Sequence, residues 1–295
     1  MNFRVFSDSS CDISFEQETA FAIGIIPYYV SFDGETYQKE RTEISAEAFY
    51  RQMAEHPDIF PKTSMPTQVD FYTAFLPYAQ KGEQILYFNL TAKFSSSFQS
   101  ARLAAEALME EYPDCRIAVI DSLSATVQEG LLVTEAAKMA QAGLTLTEAI
   151  ERIEALKTTS RIFFTTADLA YLKHGGRIGN LLQQTAIALK IKPIIHLYSG
   201  ELQPAGIARS RKKSLQKVID DASAFFQDKN INDYRICTGY GYDQEEWTQF
   251  QKDVTEAMQK LGFTGEIEQY QIGATIGVHT GPYPIGIAVI KKYTV

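Results

Sequence analysis

The sequence predicts an α/β protein of two domains. Residues 1–158 are expected to form an N-terminal three-layer α/β/α domain with a mainly parallel sheet, and residues 159–295 a smaller C-terminal α/β domain with a mixed sheet. Three observations predict this. In the first half, short apolar runs alternate with amphipathic stretches of helical length, the succession that parallel strands and their crossovers require. In the second half, Ser199-Gly200 lies between two strand-like runs and signals a hairpin, hence antiparallel pairing. A chain of 295 residues, 45% hydrophobic and 22% charged, is long and apolar enough for two cores.

The elements follow in order. Residues 4–7 are a strand running into Asp8-Ser9-Ser10-Cys11-Asp12, and residues 24–30 a second strand closed by the turn Asp33-Gly34. Residues 45–55 are a helix with Ser45 as N-cap. Residues 67–80 are another, with Thr67 as N-cap and Asp70 at the third helical position. The apolar run 85–90 is a buried strand, and Leu103, Ala104, Ala107 and Leu108 give 98–112 a helical period. Strand 116–120 and helix 124–142, ended by Gly143, complete the first sheet. Helix 145–158 leads to the second half. There follow strand 161–166, an irregular stretch at His174-Gly175-Gly176, helix 178–190, the hairpin 194–208, helix 211–226, strand 234–240, helix 244–261, and strands 266–272 and 285–293.

Composition removes several function classes. The net charge of −8 argues against general nucleic-acid binding, which needs many cationic contacts to phosphate. Cys11, Cys115 and Cys237 are odd in number and lack metal-ligand spacing, which fits a reducing cytoplasm. The N-terminal residues lack the pattern of a signal peptide, and no apolar stretch approaches a membrane span. Four histidines without paired spacing give no metal site, and no cofactor is expected. The templates G-x-S-x-G, G-x-G-x-x-G after a strand, and the P-loop are all missing.

Chemistry concentrates at the strand ends. Hydroxyls crowd Ser7-Asp8-Ser9-Ser10, Thr63-Ser64-Met65-Pro66-Thr67, Ser95-Ser96-Ser97 and Asp121-Ser122. Such residues are good caps and turn formers. In a parallel sheet they also gather at one carboxyl edge, where ligands bind. The serine triplet stands where a strand yields to a helix, and free N–H groups there make an anion site. His279, in Gly277-Val278-His279-Thr280-Gly281-Pro282, is read as a histidine in a glycine-rich loop with little cover, either structural or a donor to an anion. Arg177 is the stronger anion ligand beside His174. Arg209-Ser210-Arg211-Lys212-Lys213 is either a solvated helix start or a docking patch. A Ser95–His279 dyad would make a hydrolase or acyltransferase, with Asp121 as its only nominal orienter.

In order along the chain, Phe6-Ser7-Asp8-Ser9-Ser10-Cys11-Asp12, Thr63-Ser64-Met65-Pro66-Thr67, Phe94-Ser95-Ser96-Ser97-Phe98-Gln99-Ser100-Ala101, Val119-Ile120-Asp121-Ser122, Leu172-Lys173-His174-Gly175-Gly176-Arg177-Ile178, Lys192-Pro193-Ile194-Ile195 and His279-Thr280-Gly281-Pro282 resemble the DegV family of bacterial fatty-acid-binding proteins. The resemblance implies two domains holding one long-chain fatty acid between them. It places the carboxylate on Thr63 and Ser95, close to Ser96, with His279 near the head group. It also implies a partner, because some members deliver the fatty acid to a separate kinase subunit that makes acyl phosphate for phospholipid synthesis. Arg177, Arg209 and Arg211 would then face that partner or its phosphate. Where the family usually carries glycine, this chain has Ser96, and Lys93 adds a charge beside the loop. Each buried methylene contributes ~0.8 kcal/mol, so the tail needs a long apolar slot. Candidates for its walls are Phe163, Phe164, Ile187, Leu189, Ile194, Ile195, Ile26 and Tyr28. A third reading is a lipid-sensing regulator that binds protein or DNA through residues 209–213.

Overall fold

The computed structural model describes residues 2–179, 181 and 191–293. Its first sheet has four parallel strands in the order β2-β1-β6-β7, formed by Gly24–Ile26, Arg4–Asp8, Gln84–Asn89 and Arg116–Asp121. Both faces are covered, which is why β6 is an unbroken apolar run rather than an alternating one. Ile85 and Tyr87 face helices α3 (Gln68–Ala79) and α4 (Ser97–Glu111), whereas Leu86 and Phe88 face α5 (Thr126–Gln141) and α6 (Leu146–Leu156). This is the three-layer arrangement that the strand–helix alternation predicts.

The second sheet is mixed, in the order β10-β9-β8-β13-β11-β12. Its strands are Glu201–Ala208, Lys192–Tyr198, Arg161–Thr165, Ile285–Lys291, Tyr234–Tyr240 and Ile267–Gln271. All pairs are antiparallel except β11 with β12. The hairpin turns at Ser199-Gly200 as expected, with both residues at positive φ. Expected from sequence to be the smaller sheet, it is the wider one, because the hairpin and β12 extend it to six strands against four. One face packs on α8 (Arg211–Phe225) and α9 (Gln244–Lys260), and the other on α5. Helix α5 therefore lies between the two sheets and is buried around nearly its whole circumference.

Four features depart from the sequence reading. The single strand expected over 24–30 is broken at Pro27, which offers no N–H to a ladder. Its second part, β3 (Tyr29–Ser31), leaves for a small antiparallel sheet with β4 (Gln38–Lys39) and β5 (Lys62–Ser64). Helix α1 (Phe15–Phe21) was not expected, although Ser14 and Gln17 form a capping box at its start. The irregular stretch before Gly175 contains one short helix, α7 (Ala170–His174). The expected loop around His279 is helix α10 (Ala274–Thr280), in which three residues of poor helix propensity are outweighed by tertiary anchoring. Helix 178–190, with Ile187 and Leu189, lies largely outside the described residues.

That anchoring is electrostatic. Gly273 N–H donates to Asp12 Oδ1 (2.9 Å), Thr275 N–H to Glu40 Oε1 (3.0 Å) and Thr275 Oγ1 to Glu40 Oε2 (2.6 Å). Two buried carboxyl groups thus satisfy the open N-terminus of α10. Burial and mutual repulsion push the pKa of Asp12 well up, and burial raises that of Glu40. Asp12→Ala should lower unfolding stability by about 2 kcal/mol, because Gly273 N–H and Thr126 Oγ1–H lose their acceptor. Asp12→Asn, which keeps an oxygen toward Gly273, should lose less than about 1 kcal/mol; urea titration of the two variants checks the contrast.

Candidate ligand-binding site

Three elements converge on one polar corner. The first is the loop after β6. Asp8, at the end of β1, accepts the Leu90 N–H (2.8 Å), fixing where this loop leaves the sheet, and burial raises its pKa to about 6. Within the loop, Tyr28 OH donates to Ser95 Oγ (2.9 Å) and lies 2.6 Å from Ser97 Oγ, and Ser97 N–H also donates to Ser95 Oγ (3.2 Å). Both acceptor positions of Ser95 are filled from the protein, and its own proton is left to donate outward. Ser96 is the N-cap residue of α4 at φ −80°, so a side chain in place of the family glycine meets no backbone strain.

The second element is β5, which carries Thr63 opposite Val30. The third is α10, whose last turn carries His279. Thr63 Oγ1 and His279 Nε2 are 3.2 Å apart, while Nδ1 is enclosed without a partner. Placing the proton on Nε2 leaves an unpaired acceptor rather than an unpaired donor at Nδ1, and Thr63 then has its own proton free. Burial, assisted by the nearby Arg177 charge, lowers the His279 pKa to about 4, so the ring is neutral near pH 7. Gly175 makes this packing feasible, since a Cβ there would lie 2.1 Å from His279 Nδ1.

The corner opens into a cavity of about 330 Å³ between the two sheets, within the usual range for small-molecule sites. Thr63, Ser95, Ser96, His279 and Arg177 all line it. Arg177 is exposed and tied to the Phe94 and Gly175 carbonyls (3.0 and 2.7 Å). Away from the corner the wall is apolar, formed by residues including Leu90, Phe94, Val127, Ile162, Phe164, Leu197, Leu202, Ile272 and Ile276. Of the tail-wall residues expected from sequence, Tyr28 and Phe164 line the cavity. Phe163 points to the opposite face of its sheet, Ile26 lies in the core under α3 and α4, Ile195 is part of the core around α5, and Ile194 is fully buried. Strand alternation separates Phe163 from Phe164, and a sequence does not state which face is the slot. The wall residues from α5 and from Ile272–Ile276 went unrecognised because they resemble ordinary core.

The Ser95–His279 dyad is not assembled, since His279 reaches Thr63 and no described base accepts the Ser95 proton. Asp121 instead accepts from Leu123 N–H in its own turn and from Ala92 N–H in the loop after β6. The basic run divides. Ser210 caps α8, and Arg211 is held by Glu246 (2.6 Å) and the Tyr283 carbonyl (2.9 Å), whereas Arg209, Lys212 and Lys213 are exposed.

Fold and cavity define an α/β protein of two large sheets and one small one, with a largely apolar slot between the large sheets and hydroxyls at one corner of it. Its relatives agree with that architecture. The model of the family described as "Uncharacterised protein, DegV family" matches residues 2–292, and the chain belongs to the DegV family. A DegV domain-containing protein of Clostridium perfringens is 29% identical over 292 residues, covering 99% of this chain and 100% of its own. A stearic-acid-binding protein from Eubacterium ventriosum superposes with a TM-score of 0.94 at 38% identity, covering 99% of each chain. A fatty-acid-binding DegV family protein from Thermus thermophilus gives 0.87 at 26% identity, covering 99% of this chain and 100% of its own. No described helix is long and apolar enough to cross a membrane.

The neutral histidine has a measurable consequence. Its folded pKa lies below the ordinary 6.5, so between these values the unfolded chain binds more protons and stability falls with pH. Relative to His279→Gln, the wild-type melting temperature should drop as pH is lowered from about 6.5 toward about 4, with a constant difference above that window. Parallel melting curves across the range would contradict a neutral His279.

Proposed function

We propose that this protein binds a long-chain fatty acid in the slot between its sheets, with the carboxylate at Thr63, Ser95, Ser96 and His279, and presents it to a separate kinase subunit that forms the acyl phosphate. The observation that carries this reading is the direction of the hydroxyls. Ser95 accepts from Tyr28 and Ser97 and Thr63 accepts from His279, and each keeps its own proton to donate at the end of a largely apolar cavity. A ligand with an anionic head and an apolar tail complements that arrangement. The Eubacterium ventriosum neighbour binds stearic acid, which favours the same ligand class here.

Each charge-assisted hydrogen bond to the carboxylate contributes roughly 1.5–3 kcal/mol, and the tail adds ~0.8 kcal/mol per buried methylene before ordering costs. In this reading the protein acts as carrier and leaves the bond-making to the kinase subunit. The loops with Thr63 and Ser95 then belong to a domain of residues 1–158, and residues 159–295 supply His279 and much of the pocket for the tail, which Leu90, Phe94 and Val127 complete. No cofactor enters. A cytoplasmic setting accords with Cys11, Cys115 and Cys237 being free and buried. Arg177 at the corner and the exposed Arg209 are suited to phosphate or to an acidic kinase surface, whereas the pairing of Arg211 with Glu246 gives it a structural part.

Mass spectrometry of lipid extracted from the purified protein tests the ligand directly; a protein that stays empty after incubation with fatty acids would remove the reading. Ser95→Ala should weaken fatty-acid binding on the order of tenfold or more, as expected for loss of a donor to a charged group. Tyr28→Phe, which only unfixes Ser95, should weaken it less. Arg209→Glu should leave fatty-acid loading intact and lower acyl phosphate formation with the kinase, most clearly at low salt.

A further inference from the structure

Strand β13 reads Ile285-Gly286-Ile287-Ala288-Val289, and its large and small residues alternate. The large ones pack toward α8 and α9; the small ones face α5 and the slot. On the neighbouring strand β11, Gly239 stands directly opposite Gly286, and both line the cavity. At that point β11 and β13 contribute backbone rather than side chains to the lining.

The two are glycine for different reasons. At Gly286 a Cβ would lie 2.6 Å from the Phe163 carbonyl oxygen and 2.6 Å from Phe164 Cβ, so the packing of β8 already excludes a side chain. Gly239 is constrained by side chains rather than by backbone. Its φ lies outside the left-handed region, and the atoms nearest to a Cβ there would be Val127 Cγ1 (3.2 Å), Ile272 Cγ1 (3.3 Å) and Val127 Cγ2 (3.4 Å), from two residues of the cavity wall that would have to give way by a few tenths of an ångström. Glycine within a strand sacrifices packing and chain entropy against alanine, and commonly marks a place where a ligand approaches the backbone closely.

Resting on the fatty-acid reading above, we infer that Gly239 is a chain-selecting residue, its backbone forming part of the wall past which the acyl tail runs. A methyl group at this position presses on Val127 and Ile272, both of which line the slot, and so takes room from it. A longer chain, which needs more of that room, loses more than a shorter one. Gly239 therefore admits long chains, and its replacement favours short ones.

The test loads wild type, Gly239→Ala and Val127→Ala/Gly239→Ala with an equimolar mixture of myristic, palmitic and stearic acids, then reads the bound species by native mass spectrometry. Thermal melts establish that each variant is folded. Gly239→Ala should raise the bound ratio of myristic to stearic acid on the order of tenfold. The double variant, which removes the methyls crowding the new Cβ, should return the ratio toward wild type. A folded, loaded Gly239→Ala with an unchanged ratio would overturn the inference. If Gly239→Ala is empty or unfolded, the double variant decides: restored loading supports the inference, and a double variant equally impaired overturns it. A wild-type protein that takes up none of the three acids overturns the fatty-acid reading itself, and this inference with it.

Discussion

The turn that follows β1 holds the binding corner together through buried carboxyl groups. Asp8 accepts the N–H of Leu90 and so starts the loop that ends at Ser95. Asp12 and Glu40 accept from Gly273 and Thr275 and so seat the helix that ends at His279. Ser9 joins the two sets, donating to Glu40 while accepting the N–H of Tyr28, whose hydroxyl orients Ser95. Ser10 Oγ has one proton but lies within hydrogen-bond distance of both Asp8 and Glu129, and burial together with the Asp8 charge pushes the Glu129 pKa well up. Segments distant in sequence thus reach the ligand corner through one polar turn, where a missing partner would leave a buried group unsatisfied.

Helix α5 sets the space that the corner opens into. It packs on the parallel sheet with one side and on the mixed sheet with the other, and the slot lies where its first turn spreads the two sheets apart. Arg235 on β11 fastens this arrangement, bridging Glu135 of α5 (2.8 Å) and Glu268 of β12 (2.7 Å). A buried guanidinium with five donors is well suited to this, because its fixed fork meets two carboxylates and the Thr134 hydroxyl at once. The chemistry of the corner is mild by comparison. Its donors are hydroxyls and a neutral imidazole, with the Arg177 guanidinium beside them tied to backbone carbonyls.

Much of this organisation is legible in the sequence, and for definite reasons. Thr63, Ser95 and Ser96 are singled out by the resemblance to the DegV family, since hydroxyls at strand ends equally serve caps and turns. Capping residues such as Ser45, Thr67 and Thr145 mark helix starts because their hydroxyls accept local N–H groups. His279 was recognised as a candidate but assigned the wrong backbone, since glycine-rich segments rarely form helices without outside support. The support comes from Asp12 and Glu40, 261 and 235 residues distant from the N–H groups they accept. The tail wall was only partly legible, because Phe163 and Phe164 look alike until the sheet places them on opposite faces.

By itself, then, the sequence determined the alternation of strands and helices, the hairpin, the helix caps and the set of polar residues at the strand ends. These depend on periodicity and on contacts within a few residues, which composition and spacing record directly. Tertiary structure alone decided that Pro27 diverts β3 into a separate sheet, that α10 is a helix, that His279 serves Thr63 rather than Ser95, and that Gly239 borders a cavity. Each of those depends on which distant backbone supplies a hydrogen-bond partner or a packing surface, and such pairing is fixed by the closing of the fold rather than by any local stretch of chain.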